Sequence, residues 1–379
     1  MALSAFDHLQ LARALELAHG AIGLSDPNPR VGCVITDPQG HVLGQGHTQA
    51  AGGPHAEVMS LRSAAQTSAD LAGATAYVSL EPCAHHGRTP PCTDALIAAG
   101  LARVVVAMLD PFERVAGQGV AQLRAAGIQV DIAEAGASRS GAQALNIGFF
   151  SRVLRHRPWV RLKVAMSLDA RTALANGRSQ WITGEAARAD GQAWRARAGA
   201  VLTGIGTVLD DDPRLDVRLT PVAHQPQRIV LDSQFRTPLG ARLLAPPGPV
   251  QIIGARPHAQ RMAVLAATGS KVTLLPDPHG QVDLHALMPH LAAQGINELH
   301  VEAGARLNAA WLAAGLVDEL LVYLAPKLLG PGRSLADLPA LDDLADAAVW
   351  QFKAVDRMGQ DLRLRLQGAG ADAFLDRAG

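Results

Sequence analysis

Residues 81–92 read EPCAHHGRTPPC, with two cysteines, two histidines and three prolines in twelve positions. The stretch admits three readings: a metal site, a turn that happens to contain cysteines, or a disulfide loop. Three cysteines in a chain of 379 residues make no disulfide framework, so a reducing cytoplasm is the expected compartment and the disulfide reading falls away. Cys83 follows the strand pattern ATAYVSL, which ends at Leu80, and Cys92 opens the helical pattern continuing Thr93-Asp94-Ala95-Leu96. A thiolate at a helix N-terminus is favoured by the macrodipole and by free backbone N–H groups, which suits metal ligation. Upstream, GGPHAEV puts His55 at the start of another helix. One histidine and two cysteines leave the fourth tetrahedral position of Zn²⁺ open, as a catalytic site requires and a structural site does not.

Glu57 gives that metal a purpose. Hydrolytic removal of an amino group from a ring needs a metal-activated water and a group that moves its proton to a ring nitrogen and then to departing ammonia. A carboxylate two residues beyond the histidine, in the first helical turn, can reach that water without ligating. This is the H-x-E … P-C-x-x-C arrangement of zinc-dependent nucleobase deaminases, with one departure: eight residues, AHHGRTPP, separate the cysteines where the pattern has two. Within that spacer His85 and His86 read as loop residues or alternative ligands, and Arg88 as a contact for a substrate anion or an exposed side chain. Asn28, in SDPNPRVG, can hydrogen-bond the edge of a flat heterocycle or simply occupy a turn. Cys33, inside an apolar strand, reads as a buried small side chain.

Composition sets the surroundings. Apolar residues are 48% and charged residues 18%, as in a well-buried globular protein of two or three domains. Lys+Arg and Asp+Glu are both 34, which offers no bulk attraction to nucleic acid and fits a small partner. The first twenty residues carry Asp7, Arg13 and Glu16 at amphipathic helical spacing, not the apolar run of a signal peptide, and no apolar stretch long enough to span a membrane appears.

Two blocks follow from the patterning. In the first, RVGCVITDPQGHVLGQGHT reads as two strands around the turn Asp37-Pro38-Gln39-Gly40. Then come a helix from His55 to about Gln66, the strand ATAYVSL, the helix TDALIAAG, the strand RVVVAML, the helix VAGQGVAQLRAAG, the strand IQVDIA and a closing helix from Ala137 to Leu154. This alternation predicts an α/β sheet covered by helices on both faces. The run RVLRHRP reads as a solvated helix end and linker. The second block starts at Trp159 with WVRLKVAMSLDART, with further strands expected at AVLTG, QRIVLDS, VQIIGA, KVTLLP, ELHVEAG and ELLVYLAPKLL. In it GIGTVL supplies only two glycines of a dinucleotide fingerprint. VEAGARLNAAWL is better placed, a strand and small-residue loop opening a helix whose N-terminal amides can receive a phosphate.

The segments PNPRVGCVI, HAEV, EPCAHHGRTPPC, Asp110-Pro111 and VAGQG together resemble the deaminase half of the bifunctional riboflavin-biosynthesis deaminase/reductases. In that family the long cysteine spacer is the rule. SLDART, SQWIT, GIGTVLDDDPRLDVR, VEAG and APKLLG carry the resemblance over nearly the whole chain. It implies a cytidine-deaminase-like three-layer α/β domain at 1–150 and a dihydrofolate-reductase-like α/β domain at 151–379. The first would use Zn²⁺ on His55, Cys83 and Cys92, with Glu57 as proton shuttle, to deaminate a phosphorylated diaminopyrimidine. The second would use NADPH to reduce the ribosyl group to ribityl. Gly304, Ala305, Arg306, Leu307, Asn308, Ala309 and Ala310 would lie along the NADPH phosphates, and Ala165, Trp181, Thr207, Asp211 and Ser233 match other cofactor positions. Asn28, Arg88, Ser179, Arg195, Leu215, Arg218 and Glu302 match substrate positions, the arginines being suited to a phosphate by bidentate hydrogen bonding; Lys163 is a polar candidate near hydride transfer. The family usually has glycine at Ala170 and Ala303, so a required left-handed backbone at either would strain this chain. A homo-oligomer is expected. The rival readings are a nucleoside or tRNA deaminase with a non-catalytic second half, and a scaffold with a structural zinc.

Overall fold

The computed structural model describes residues 2–67, 69–87, 90–112 and 116–378, divided into two compact units: Met1–Arg155 with Asp372–Gly379, and His156–Ala371. In the first unit, helix α1 (Ala5–Ala18) is opened by Ser4, whose hydroxyl accepts from the Asp7 amide while Asp7 reaches back to the Ser4 amide. Strands β1 (Gly32–Thr36) and β2 (Val42–His47), helix α2 (Ala56–Gln66), strand β3 (Thr75–Val78), helix α3 (Cys92–Ala98), strand β4 (Arg103–Val106), helix α4 (Gln118–Ala125), strand β5 (Gln129–Ile132) and helix α5 (Ala137–Arg155) follow. The sheet order is β2-β1-β3-β4-β5, with β1 antiparallel to both neighbours and β3, β4 and β5 parallel.

Two glycines explain how closely helices cover both faces. A Cβ on Gly32 would stand 1.9 Å from the Ala14 carbonyl oxygen of α1, and one on Gly44 would stand 2.2 Å from the Ser60 carbonyl oxygen of α2. Backbone therefore packs directly on backbone on each side. The expected α/β layering holds, and Cys33 is fully buried as expected. The last residues of the chain also belong to this unit: Leu375 is buried, and the Arg155 guanidinium stands 4.3 Å from the Phe374 ring centroid.

The second unit contains β6 (Trp159–Ser167), β7 (Arg171–Leu174), α6 (Glu185–Arg197), β8 (Ala200–Gly204), α7 (Ile205–Asp211), β9 (Gln227–Leu231), β10 (Val250–Gly254), α8 (Ala259–Ala266), β11 (Lys271–Leu274), α9 (Leu284–Ala293), β12 (Glu298–Val301), α10 (Ala305–Ala313), β13 (Glu319–Ala325), β14 (Gly332–Ser334), β15 (Trp350–Met358) and β16 (Asp361–Gly368). Nine strands form one sheet in the order β11-β10-β9-β8-β12-β6-β13-β16-β15; β14 pairs with β7 separately. All strands from β11 to β13 are parallel, whereas β16 and β15 complete the edge antiparallel. The stretch WVRLKVAMSLDART divides into β6 and the start of β7, and β14, β15 and β16 are strands that the sequence pattern does not announce. These lie outside the parallel core, and β15 is mostly exposed, so they lack the unbroken apolar runs that announced the others.

The sheet order reverses where β12 inserts between β8 and β6, and in such sheets ligands bind beyond the carboxyl ends of the strands at the switch. The opposite ends are locked by charge. Arg161 on β6 is buried and donates to Glu298 of β12 and Glu319 of β13, both at 2.9 Å. Burial opposes ionisation of Glu319, yet Arg161 and Arg365 bring its pKa down to about 2. Trp194 of α6 lies against the same cluster, with the Arg161 and Arg365 guanidiniums 4.3 and 5.2 Å from its ring centroid. No helix among the described residues is long and apolar enough to cross a membrane.

Candidate active sites

In the first unit His55 is the N-cap of α2, with an extended backbone and no cap hydrogen bond from its side chain, so the imidazole is available to a ligand. Cys92 is the first residue of α3, and Cys83 lies in the loop after β3. The Thr93 amide and hydroxyl both donate to the Cys83 carbonyl at 3.3 Å, which ties that loop to the start of α3. His55 Nδ1 stands 3.5 Å from Cys83 Sγ and 3.3 Å from Cys92 Sγ, and all three ligand atoms lie within 4.8 Å of one another. Tetrahedral Zn²⁺ with Zn–N near 2.1 Å and Zn–S near 2.3 Å requires ligand separations of about 3.6 Å, so the donor set fits the ion in chemistry and spacing. The Cys92 amide points at Cys83 Sγ, at 3.4 Å. The two thiols share a proton: a hydrogen bond from the Cys92 thiol, with help from His55, favours the thiolate at Cys83, and the same bond raises the pKa of Cys92.

Glu57 sits one helical position beyond Ala56 and is 3% exposed. Burial, and then the Cys83 thiolate, push its pKa up to about 7. Asn28 lies in the loop before β1, its amide donating to the Ser25 carbonyl at 2.9 Å. Arg88 lies outside the described residues. His86 is exposed, and the ring of His85 meets Phe112 edge-on at 6.3 Å; neither joins the metal trio. The opening stretch also contained a residue whose part was missed: the Glu81 carboxylate accepts from the amides of Asp110, Gly117 and Val120 at 3.2, 2.9 and 3.1 Å, holding the loop into α4.

In the second unit Thr207, Ser233 and Glu302 follow the carboxyl ends of β8, β9 and β12, whereas Lys163 and Ala165 lie within β6 and Arg195 is in the last turn of α6. Gly304 is the N-cap of α10, and a Cβ there would lie 3.9 Å from Thr207 Oγ1, so Thr207 of α7 adjoins the amides of Ala305, Arg306 and Leu307. Ala309 and Ala310 continue α10, while Asn308 is buried and its side-chain amide donates to the Leu335 carbonyl at 2.8 Å. Ala165 is on β6, and Ser233 after β9 has its hydroxyl 3.2 Å from Gln281 Oε1. Ser179 and Asp211 line a cleft of 480 Å³ with Arg178, Asp210 and Arg333. Trp181, largely exposed, is stacked by the Arg188 guanidinium at 4.6 Å.

Glu302, just past β12, is the centre of a charged group. Arg195 of α6 meets it with a two-pronged contact whose Nη2–Oε2 arm is 2.9 Å, and Lys163 Nζ is 3.7 Å from Oε2. Burial raises the carboxyl pKa, but Arg195 and Lys163 hold it well below the usual range. His300, fully buried and absent from the sequence reading, places Nε2 3.4 Å from Glu302 Oε1. Arg195, which the family resemblance puts at a substrate position, turns its fork to Glu302, and its Nη1 donates to the Asp216 carbonyl at 3.0 Å. Arg218 Nη1 reaches Asp216 Oδ1 at 2.9 Å, and Leu215 is buried. Ala170 does adopt the left-handed backbone that the family glycine would favour, with φ +58°, whereas Ala303 has no positive φ and packs against the core.

A His/Cys/Cys metal trio beside a buried glutamate, on a three-layer α/β unit, defines a zinc-dependent deaminase, here followed on the same chain by a second α/β unit with its own candidate site. Residues 5–108 match the family model of the cytidine and deoxycytidylate deaminase zinc-binding region, and residues 158–364 match that of the RibD C-terminal domain. The riboflavin biosynthesis protein RibD of Escherichia coli K12 is 46% identical over 376 residues, covering 96% of this chain and all of that protein. Among solved structures, Acinetobacter baumannii RibD superposes with a TM-score of 0.85 at 43% identity, covering 96% of this chain and 99% of its own. The diaminohydroxyphosphoribosylaminopyrimidine deaminase/5-amino-6-(5-phosphoribosylamino)uracil reductase of Thermotoga maritima superposes with a TM-score of 0.84 at 30% identity and the same coverages. The chain belongs to the RibD family, the bifunctional deaminase/reductases of riboflavin biosynthesis.

Proposed function

We propose that the first unit deaminates 2,5-diamino-6-(5-phosphoribosylamino)pyrimidin-4(3H)-one and that the second reduces the ribosyl side chain of 5-amino-6-(5-phosphoribosylamino)uracil to ribityl. The observation that carries the reading is the convergence of His55, Cys83 and Cys92 beside buried Glu57. Held by those three residues, zinc supplies a Lewis acid that activates water. Glu57, buried beside the trio and not itself a ligand, takes a proton from the attacking water and passes it to the ring nitrogen, then takes the remaining proton of the added hydroxyl and hands it to the leaving amine. Asn28 and Arg88 are the proposed contacts to the heterocycle and to an anionic group.

In the second unit NADPH supplies the hydride. The α10 amides after Gly304 are suited to its phosphates, with Thr207 adjoining. Glu302 stays ionised, fixed by Arg195, and holds the Lys163 ammonium toward the end of the site where the ribosyl group reacts. Arg218 is proposed to contact the substrate phosphate. The nucleoside or tRNA deaminase alternative leaves unexplained a second unit that matches the RibD C-terminal domain over residues 158–364. Equal numbers of basic and acidic residues also disfavour RNA. A cytoplasmic homo-oligomer acting on small molecules completes the proposal.

The test follows ammonia release and NADPH oxidation together, starting from the diaminopyrimidine phosphate. Both are expected, with about one zinc per chain. Cys92→Ser should lose zinc and ammonia release while still oxidising NADPH with the already deaminated substrate. Full deamination by that variant with zinc retained would overturn the site assignment.

A further inference from the structure

Between α7 and β9 the chain makes an irregular reversal, Asp212-Pro213-Arg214-Leu215-Asp216-Val217-Arg218, that is held more firmly than a surface loop requires. Leu215 is buried with φ +54°, a conformation that a β-carbon disfavours and that persists only where the surroundings enforce it. The backbone beyond it is fastened group by group. The Asp216 carbonyl accepts from Arg195, the Val217 amide and carbonyl are both engaged by the Gln225 side chain at 2.8 Å, and the Arg218 amide donates to Gln192 Oε1 at 2.9 Å.

The side chains explain what this rigid frame presents. Arg214 and Arg218, four residues apart, meet on the single buried carboxylate of Asp216: Arg214 through Nε at 3.0 Å and Nη2 at 2.9 Å on Oδ2, Arg218 through Nη1 at 2.9 Å on Oδ1. Burial opposes ionisation of Asp216, but the two guanidiniums keep it charged. Two cations on one anion leave a net positive charge, and the Asp216 side chain is 5% exposed while those of Arg214 and Arg218 are 40% and 47% exposed. Each guanidinium carries five N–H donors, so both retain donors that Asp216 does not take. Paired donor forks already oriented by a buried acid are the arrangement that binds a dianionic phosphate monoester, because little side-chain freedom remains to be lost on binding.

We propose that Arg214 is a specificity-determining residue of the reductase, gripping the substrate's ribosyl phosphate jointly with Arg218 while Asp216 positions both. The inference rests on the reading that the second unit acts on a phosphorylated substrate, and the same frame links it to the Glu302 group, since Arg195 bridges Glu302 and Asp216.

The experiment measures kcat and KM of the full-length protein for 5-amino-6-(5-phosphoribosylamino)uracil and for its dephosphorylated counterpart. The parent protein should strongly prefer the phosphorylated compound. In Arg214→Ala that preference, the ratio of the two kcat/KM values, should fall roughly ten- to a hundredfold, through KM for the phosphorylated compound, since a charge-assisted contact made equally in ground and transition states is removed. Arg214→Lys, keeping the charge without the fork, should recover part of it. A preference within twofold of the parent's in Arg214→Ala, or an equal loss on both compounds, overturns the role of Arg214 and leaves the phosphorylated-substrate reading standing. A parent protein indifferent to the phosphate overturns both.

Discussion

The metal trio and the Glu302 group are built in opposite ways. His55 and Cys92 sit at the N-terminal ends of helices and Cys83 in the loop after β3, and each is presented by rules local to its own helix or loop. Glu302 is defined by partners on β6 and α6, with Arg195 107 residues away in sequence. The first site therefore depends on a few side chains and a metal, whereas the second depends on the order of strands in a sheet. One consequence is that the first should fail sharply at single atoms and the second through loss of its frame.

The sharpest single-atom failure is expected at Glu57→Gln, which keeps size but cannot carry a proton. Zinc content should be unchanged and ammonia release should fall roughly 10²–10⁴-fold, with NADPH oxidation of the already deaminated substrate preserved. Loss of both activities in folded, zinc-loaded protein would dissolve the contrast between the sites.

The frame is tested at Arg161→Ala, remote from any proposed ligand contact. Removing the cation shared by Glu298 and Glu319 should destabilise the second unit by about 3 kcal/mol, softened from the upper range because Arg197 and Arg365 remain on those carboxylates. Heat inactivation of NADPH oxidation should then move to lower temperature while that of ammonia release does not. Equal shifts would mean that the ionic cluster does not belong to the second unit alone.

The first unit has an ionic lock of its own. Burial opposes it, but Arg103 and the Ser4 cap lower the Asp7 pKa from 3.8 to about 2. A carboxylate depressed on folding contributes stability that is present above its unfolded pKa and is lost as pH falls through the folded one. The contribution is roughly 2 kcal/mol, declining between about pH 5 and 2. In urea titrations, the stability difference between the parent and Asp7→Asn should shrink over that window; a difference independent of pH would remove the charge from the explanation.

The smallest effect is expected at Ala170, where a β-carbon occupies a left-handed turn between β6 and β7. Ala170→Gly relieves strain of about 1–2 kcal/mol against an unfolded-state entropy penalty of about 0.4–1 kcal/mol, for a net gain of roughly 0.5–1 kcal/mol. A loss of stability on denaturant titration would show that the turn is not strained.

The amino-acid sequence by itself determined the α/β class, nearly all elements of the first unit, the parallel strands of the second, and the complete metal trio with Glu57. Those features follow from periodicity, capping and ligand spacing, which act over a few residues. The antiparallel edge of β16 and β15 carried weaker signals because much of it faces solvent. Only the tertiary structure decided that Arg195 supports Glu302, that His300 lies beside them, that Asp216 gathers Arg214 and Arg218, and that Phe374 returns to Arg155. For the Glu302 group the physical reason is the strand order β8-β12-β6: insertion of a late strand between two earlier ones makes neighbours of residues far apart along the chain, and no local pattern encodes which charge will meet which.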